Sequence, residues 1–284
     1  MHIQAFFDKG TATVTYVVSD PVTRCCAIID PVLDFDPQTG VMSTKSADLL
    51  IDYIEKSRLI VMWLLETHIH ADHLTAAHYL QQRIGGETGI SEKIIDVLKY
   101  WVPVFNTAED TPVDGSQFDR LFKDGETFSV GSLTVKVMHT PGHTPACASY
   151  LIGKAIFVGD TIFMPYGGTS RADFPGGNAA TLYRSIRKIL SLPDETKIFT
   201  CHDYPPEEQN PAWESTVGEQ KKRNIMIGED VTEGQYVETR NRRDSTLSAP
   251  RLLLPSIQVN LRAGNLGKLE DNGTQYLKIP LKLA

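Results

Sequence analysis

Apolar and polar positions alternate in two early stretches, "TATVTYVVSD" (11–20) and "TRCCAIIDP" (23–31), which predicts two β-strands joined by a turn at Asp20–Pro21. In "STKSADLLIDYIEKS" (43–57) the apolar spacing lengthens to three and four, the pattern of an amphipathic helix behind a Ser/Thr cap. "RLIVMWLLET" (58–67) is apolar almost throughout and reads as a buried strand, far too short to cross a bilayer. Helices are predicted over 72–85 ("DHLTAAHYLQQRIG") and 91–101 ("SEKIIDVLKYW"). Short strands return between 117 and 160, in "GETFSVGSLTVKVMHT", "CASYLIG" and "KAIFVGD". "AATLYRSIRKILSL" (179–192) predicts a helix and "TKIFTCH" (196–202) a strand. From about Asp203 the chain turns polar and proline-rich, then helical to about Ile227. Residues 228–250 are charged with few large apolar side chains, and the expectation there is an extended excursion or loop. "RLLLPSIQVNLRAG" (251–264) is apolar enough to pack back on the body.

Two strand-rich halves interleaved with helices predict an α/β fold, two sheets packed together with helices outside. A chain of 284 residues can bury a sizeable core. The expectation is one domain over 1–284, with a core of about 1–227 and a C-terminal extension of about 228–284. A net charge of −7 argues against a broad nucleic-acid footprint, and "KKRN" (221–224) reads as the solvated end of a helix. "MHIQAFFDKG" has neither the basic start nor the apolar run of a secretory signal, so the expectation is a cytoplasmic protein without a membrane partner. Cys25, Cys26, Cys147 and Cys201 show no CxxC spacing and read as reduced, mostly buried thiols.

The chemistry concentrates in histidine. "THIHADH" crowds His68, His70, Asp72 and His73 between a predicted strand and a predicted helix. "HTPGHT" adds His139 and His143 around a Pro-Gly turn, "VGDT" puts Asp160 just past a strand, and "CHDY" puts His202 at the end of another. Of eight histidines only His2 and His78 stand outside these motifs. Singly, each has an ordinary explanation: Asp72 as a helix N-cap, His139 or His202 as a hydrogen-bonded core residue. Four strand-terminal positions bearing His or Asp, in a fold able to gather them at one rim, point instead to a metal. Imidazole and carboxylate without thiolate favour zinc, iron or manganese. Cys201, next to His202 on a strand, is expected to face the other way.

In order and spacing these motifs resemble the metallo-β-lactamase superfamily, over residues 67–204. The resemblance implies an αββα sandwich with the metal at the rim between the sheets. "GDTIF" followed by "GGTSRADFPGG" is similar to the glutathione-using branch, which contains glyoxalase II and the persulfide dioxygenases, and "RADF" (171–174) matches the dioxygenase pattern. "GGETGISEKIIDVLKYW" and "LPSIQVNLRAG" also resemble bacterial dioxygenases of that group. Carried over, the resemblance implies one iron(II) held by His68, His143 and Asp160. His70, Asp72, His73 and His202 would surround it without ligating. Arg171, Asp173 and Tyr204 would contact glutathione. The implied reaction takes glutathione persulfide, dioxygen and water to sulfite and glutathione. The alternative is a glyoxalase II-like thioester hydrolase with two Zn, Fe or Mn ions, in which Asp72, His73 and His202 become true ligands. The ligand set alone does not distinguish one metal from two. A third reading, a non-catalytic binding protein with a closed structural metal site, lacks the cysteine tetrad such sites favour. A homodimer is expected from the resemblance alone.

Overall fold

In the computed structural model, which describes residues 1–205 and 209–281, the two strands of the opening alternation form behind a third, and the three pair antiparallel. They are β1 (His2–Asp8), β2 (Thr13–Ser19) and β3 (Cys25–Ile29). β1 is half-buried along its length, and no alternation had marked it as a strand. A side sheet begins with β4 (Val32–Asp36) and β5 (Val41–Ser43), and α1 (Lys45–Ser57) follows where the spacing predicts it. β6 (Ile60–Leu65) runs parallel to β3. β7 (Leu74–Thr75) joins the side sheet, and α2 (Ala77–Ile84), β8 (Glu87–Ser91), α3 (Ile94–Phe105) and β9 (Arg120–Phe122) complete the first half. The first main sheet therefore has the order β1-β2-β3-β6-β8-β9.

The second half repeats the idea. β10 (Thr127–Val130), β11 (Leu133–His139), β12 (Ala148–Ile152) and β13 (Ala155–Phe157) form an antiparallel meander. α4 (Ala179–Leu190) crosses to β14 (Lys197–Phe199), parallel to β13, and β15 (Glu214–Thr216) closes the sheet in the order β10-β11-β12-β13-β14-β15. α5 (Val217–Arg223), α6 (Glu233–Asp244) and α7 (Leu253–Asn260) follow.

Strand alternation sorts the side chains into layers. Ala27, Ile29 and Leu65 face inward onto Val135, Val137, Tyr150 and Phe157 of the opposite sheet. Their neighbours Cys26, Ile28 and Leu64 face outward onto Leu50 and Ile54 of α1 and Leu80 of α2. On the far side Met138, Ile156 and Ile198 face outward onto Leu182, Ile186 and Ile189 of α4. The expected αββα sandwich is the observed fold.

Two expectations fail. Residues 228–250 are not a loop: α6 lies within them, started by a capping box between Thr232 and Gln235. The helix expected from residue 72 starts only at Ala77, because Leu74 and Thr75 pair with β4 first. Asp72 is therefore not its N-cap. The C-terminal segment packs back as expected, with Val259 under α1 and α2, and Ile257 and Leu261 beside α3. The last three residues of the predicted extension lie outside the described residues. Among the described residues no helix is long and apolar enough to cross a membrane.

Candidate metal centre

His68, His70, Asp72, His73, His143, Asp160 and His202 all follow strand ends at one rim of the sandwich, whereas His139 is the last residue of β11 itself. β6 releases the loop carrying Thr67 to His73, which has almost no backbone pairing of its own. Asp30, just past β3, fixes the start of that loop by accepting hydrogen bonds from the Thr67 amide (2.7 Å) and hydroxyl (2.8 Å). β11 leads into the Thr140–His143 turn, where Gly142 has φ +135° and a Cβ would lie 2.3 Å from the Leu182 backbone of α4. Only glycine fits that approach. After β13, Gly159 (φ +51°) passes so close to Thr67 that a Cβ would lie 2.5 Å from its hydroxyl, and Asp160 follows. β14 ends two residues before Thr200's neighbour Cys201, with His202 next.

The donor atoms converge. One from each of His68, His143 and Asp160 lie within 4.8 Å of one another, and so do one from each of His70, Asp72, His73 and His202. Asp160 spans the two groups: its Oδ2 is 3.9 Å from His68 Nε2 and 3.7 Å from His143 Nε2, while its Oδ1 is 3.4 Å from His202 Nε2. Asp72 lies 3.0 Å from His73 Nδ1 and 3.4 Å from His202 Nε2. His139 stands apart, its Nε2 3.1 Å from the Ser91 hydroxyl and 3.1 Å from the Phe122 carbonyl oxygen, and is structural.

Hydrogen bonds behind the rings orient them. His143 Nδ1–H donates to the Arg171 carbonyl (2.8 Å) and His202 Nδ1–H to the Ala12 carbonyl (3.2 Å), so each Nε2 keeps its lone pair for the interior. His68 Nε2, His70 Nδ1, His73 Nε2, His202 Nε2 and Asp160 Oδ1 are buried without a hydrogen-bond partner. Five orphaned ligand-type atoms aimed at one small volume are costly unless a cation sits there, so this donor set fits a metal. Burial, reinforced by neighbouring imidazoles, holds the pKa of His68 well below its ordinary value. Burial likewise lowers His143 and His73. For His202 burial opposes protonation, but Asp160 and Asp72 outweigh it and the pKa rises. His70 is raised well above normal despite burial, because its Nε2 lies 2.9 Å from Asp30 and 3.4 Å from Glu66.

The sequence reading missed the groups that hold this loop. Asp30 is an aspartate at a strand end like Asp160, so the signal was present. Glu66, buried, accepts from the Thr75 hydroxyl. Cys201 does not face away: its thiol reaches Asp30 at 3.4 Å and lies within 4.8 Å of Asp160 and His202 donors. Burial first, then the surrounding carboxylates, keeps that thiol far from ionising.

A cavity of about 460 Å³ opens onto the cluster. Phe163, Phe174, Tyr204 and Leu247 give it apolar walls, and its charged lining mixes Arg171, Arg240 and Arg243 with Asp72, Asp160 and Asp203. Arg171 lines it but is largely engaged, in a fork to Asp173 (2.6 and 2.7 Å), a hydrogen bond to the Ser248 carbonyl (2.8 Å) and a stack over Phe174. Asp173 is not part of the cavity wall; its carboxylate holds Arg171. Tyr204 lies on the wall with its ring nearly parallel to His202, centroids 6.0 Å apart. Arg243, on α6, makes no ion pair among the described residues.

The family model of the metallo-beta-lactamase superfamily matches residues 8–202. A "Beta-lactamase hydrolase-like protein" of Agrobacterium fabrum is 51% identical over 99% of this chain, which spans 64% of that relative's length. "Glyoxylase B2" of Dictyostelium discoideum is 50% identical over 98% of this chain and 96% of its own. The human mitochondrial "Persulfide dioxygenase ETHE1" is 27% identical over 71% of this chain and 68% of its own. Among solved structures, ETHE1 from Myxococcus xanthus superposes with a TM-score of 0.74 at 26% identity, over 93% of this chain and 100% of that one. With the fold, the rim cluster and these matches in agreement, the chain belongs to the metallo-beta-lactamase superfamily of metal-dependent enzymes.

Proposed function

We propose that the chain is a persulfide dioxygenase with one iron held by His68, His143 and Asp160. The reading is carried by the convergence of those three donors as a group without His70. Two imidazoles and one carboxylate form the set that leaves open positions on a non-haem iron. Net, a glutathione persulfide, one dioxygen and one water give glutathione, sulfite and two protons. A bound iron(II) would supply open coordination positions and a redox path by which the persulfide sulfur passes its four electrons to dioxygen. The protein's part is to hold and orient the ligands and the substrate. The Arg171 carbonyl fixes the His143 tautomer, and Phe174 beside His143 and Phe163 beside His202 give the metal end of the cavity apolar walls. Arg243 and the remaining donors of Arg171 offer cationic partners to substrate carboxylates at the mouth, and Tyr204 offers a ring face.

A second reading has its own support. The relatives near half identity carry hydrolase and glyoxylase names, while the dioxygenase relative is far more distant. Asp72, His73 and His202 are complete and partly orphaned, and Asp160 faces both groups, as a two-metal thioester hydrolase requires. Metal ions held by those residues would supply the Lewis acidity that activates water for attack on a glutathione thioester.

Metal content of protein purified without oxygen, measured beside oxygen uptake on adding glutathione persulfide, decides between them. The dioxygenase predicts about one iron per chain and persulfide-dependent uptake. Two metals per chain, no uptake and hydrolysis of lactoylglutathione would replace it with the hydrolase.

A further inference from the structure

The loop that carries His70, Asp72 and His73 is held from a point far away in the chain. Asn260, the last residue of α7, is almost wholly buried. Its Nδ2 donates to the His70 carbonyl (2.9 Å) and to the His73 carbonyl (2.9 Å). Its Oδ1 accepts from the Thr75 amide (2.8 Å). Both amide protons and the carbonyl are thereby used, and all three partners belong to one six-residue span of the metal loop. That span has no helix and only two strand residues, so its backbone groups need partners from elsewhere. α7 itself is fixed by Val259 against the α1–α2 side and by Ile257 and Leu261 against the α3 side. Just beyond it, Gly264 (φ +90°) lets the chain pass the same loop, where a Cβ would lie 3.0 Å from the Thr75 carbonyl.

We propose that Asn260 is a positioning residue for the metal centre, setting the spacing of His70, Asp72 and His73 from the C-terminal segment. The role rests on the reading of the rim cluster as a metal site: with one metal it acts on His68, two residues before the held His70 carbonyl, and with two metals on Asp72 and His73 as well. Side chains at alternate positions of a loop move with its carbonyls, and outer partners of metal ligands commonly change affinity ten- to hundredfold. Asn260→Asp is the sharpest perturbation. It keeps the volume and the acceptor for Thr75 but turns a carboxylate oxygen towards two carbonyl oxygens.

Gln258 supplies the control. It is also buried on α7, yet it bonds to Leu254 and Lys278 and does not reach the loop. The parent, N260D, N260S and Gln258→Ala would each be stripped of metal and titrated with cobalt(II) against a chelating dye. The cobalt d–d spectrum and the melting temperature of the stripped protein would be recorded alongside. The expected result is parent-like affinity and spectrum for Q258A. N260D is expected to bind cobalt about ten- to hundredfold more weakly with altered bands, while still melting cooperatively in the metal-free state. Unchanged affinity and spectrum in N260D would overturn the inference. So would failure of both Asn260 variants to fold, since the residue would then serve the fold and not the site. If the parent itself binds no cobalt, the metal-centre reading falls, and the inference with it.

Discussion

His143 shows how a single imidazole is prepared. Its Nδ1–H is committed to the Arg171 carbonyl, its ring packs edge-on to Phe174, and its Nε2 points to Asp160. His68 is similarly buried, its Nδ1 against the Thr67 hydroxyl and its Nε2 left without a partner. Removing any of His68, His143 or Asp160 should leave too few donors for tight binding, so the alanine variants are expected to lose metal and activity together by elemental analysis and assay. His73→Ala separates the readings, because the one-iron site keeps its three ligands and should stay metallated at about one ion per chain. Loss of all metal in that variant would count against the mononuclear assignment. Acid resistance follows from the depressed pKa values of His68 and His143. A nitrogen binds metal only when unprotonated, and a lowered pKa keeps it unprotonated further into acid. Metal measured after dialysis at a series of pH values should therefore persist below about pH 6.5, the ordinary histidine value, and be lost only at lower pH. Loss centred at or above that value would contradict the burial argument.

Helix α6 carries a different lesson, since its buried face is Tyr236, Arg240 and Asp244, mostly polar. Arg240 is almost wholly buried, paired with Asp244, and donates to the Thr169 carbonyl (2.9 Å), while Asp244 accepts from the Ala172 amide (2.9 Å). The pair thus grips the backbone on both sides of Arg171, at Thr169 and Ala172. Arg240→Ala leaves Asp244 buried and unpaired, which typically costs about 3–5 kcal/mol. The expected outcome is a correspondingly lower urea midpoint, with a raised KM from a loosened Arg171. A midpoint within error of the parent would show that the pair bears no such weight. The same polar face explains why the helix escaped the sequence reading. α1 and α4 declare themselves through Leu50, Ile51 and Ile54, or Leu182, Ile186 and Ile189, at helical spacing. α6 has no such stripe, and its only local mark was the cap pattern of Thr232 and Gln235. The late start of α2 was equally hidden, because pairing of Leu74 and Thr75 with β4 is a tertiary event. At the site, each histidine motif is local and was readable. Asn260 was not, because no local pattern announces a partner lying 187 to 190 residues away in the chain.

The rim cluster draws on both halves of the sandwich. His68, His70, Asp72 and His73 follow β6 of the first sheet, whereas His143, Asp160 and His202 follow β11, β13 and β14 of the second. Direct hydrogen bonds between the halves at this rim include Tyr150 Oη to the Glu66 carbonyl (2.8 Å) and the Ala148 amide to the Thr67 carbonyl (2.9 Å). A metal bound among His68, His143 and Asp160 would add a cross-link between the sheets at the same place, present only when the chain is folded. Ligand linkage then fixes the size of the effect: free metal at a hundred times its dissociation constant adds about 2.7 kcal/mol. For a chain of this length each kcal/mol moves the melting temperature by about 2 °C, so the metal should raise it by about 5 °C. Chelation should reverse the gain, and His68→Ala, lacking a ligand from the first sheet, should melt at one temperature with or without chelator. If the parent melt is indifferent to chelator although metal is shown to leave, the ion cannot be bound preferentially by the folded chain. The orphaned nitrogens would then need another explanation. A parent that shifts while His68→Ala does not would tie the gain to this rim and to the joining of the two sheets across it.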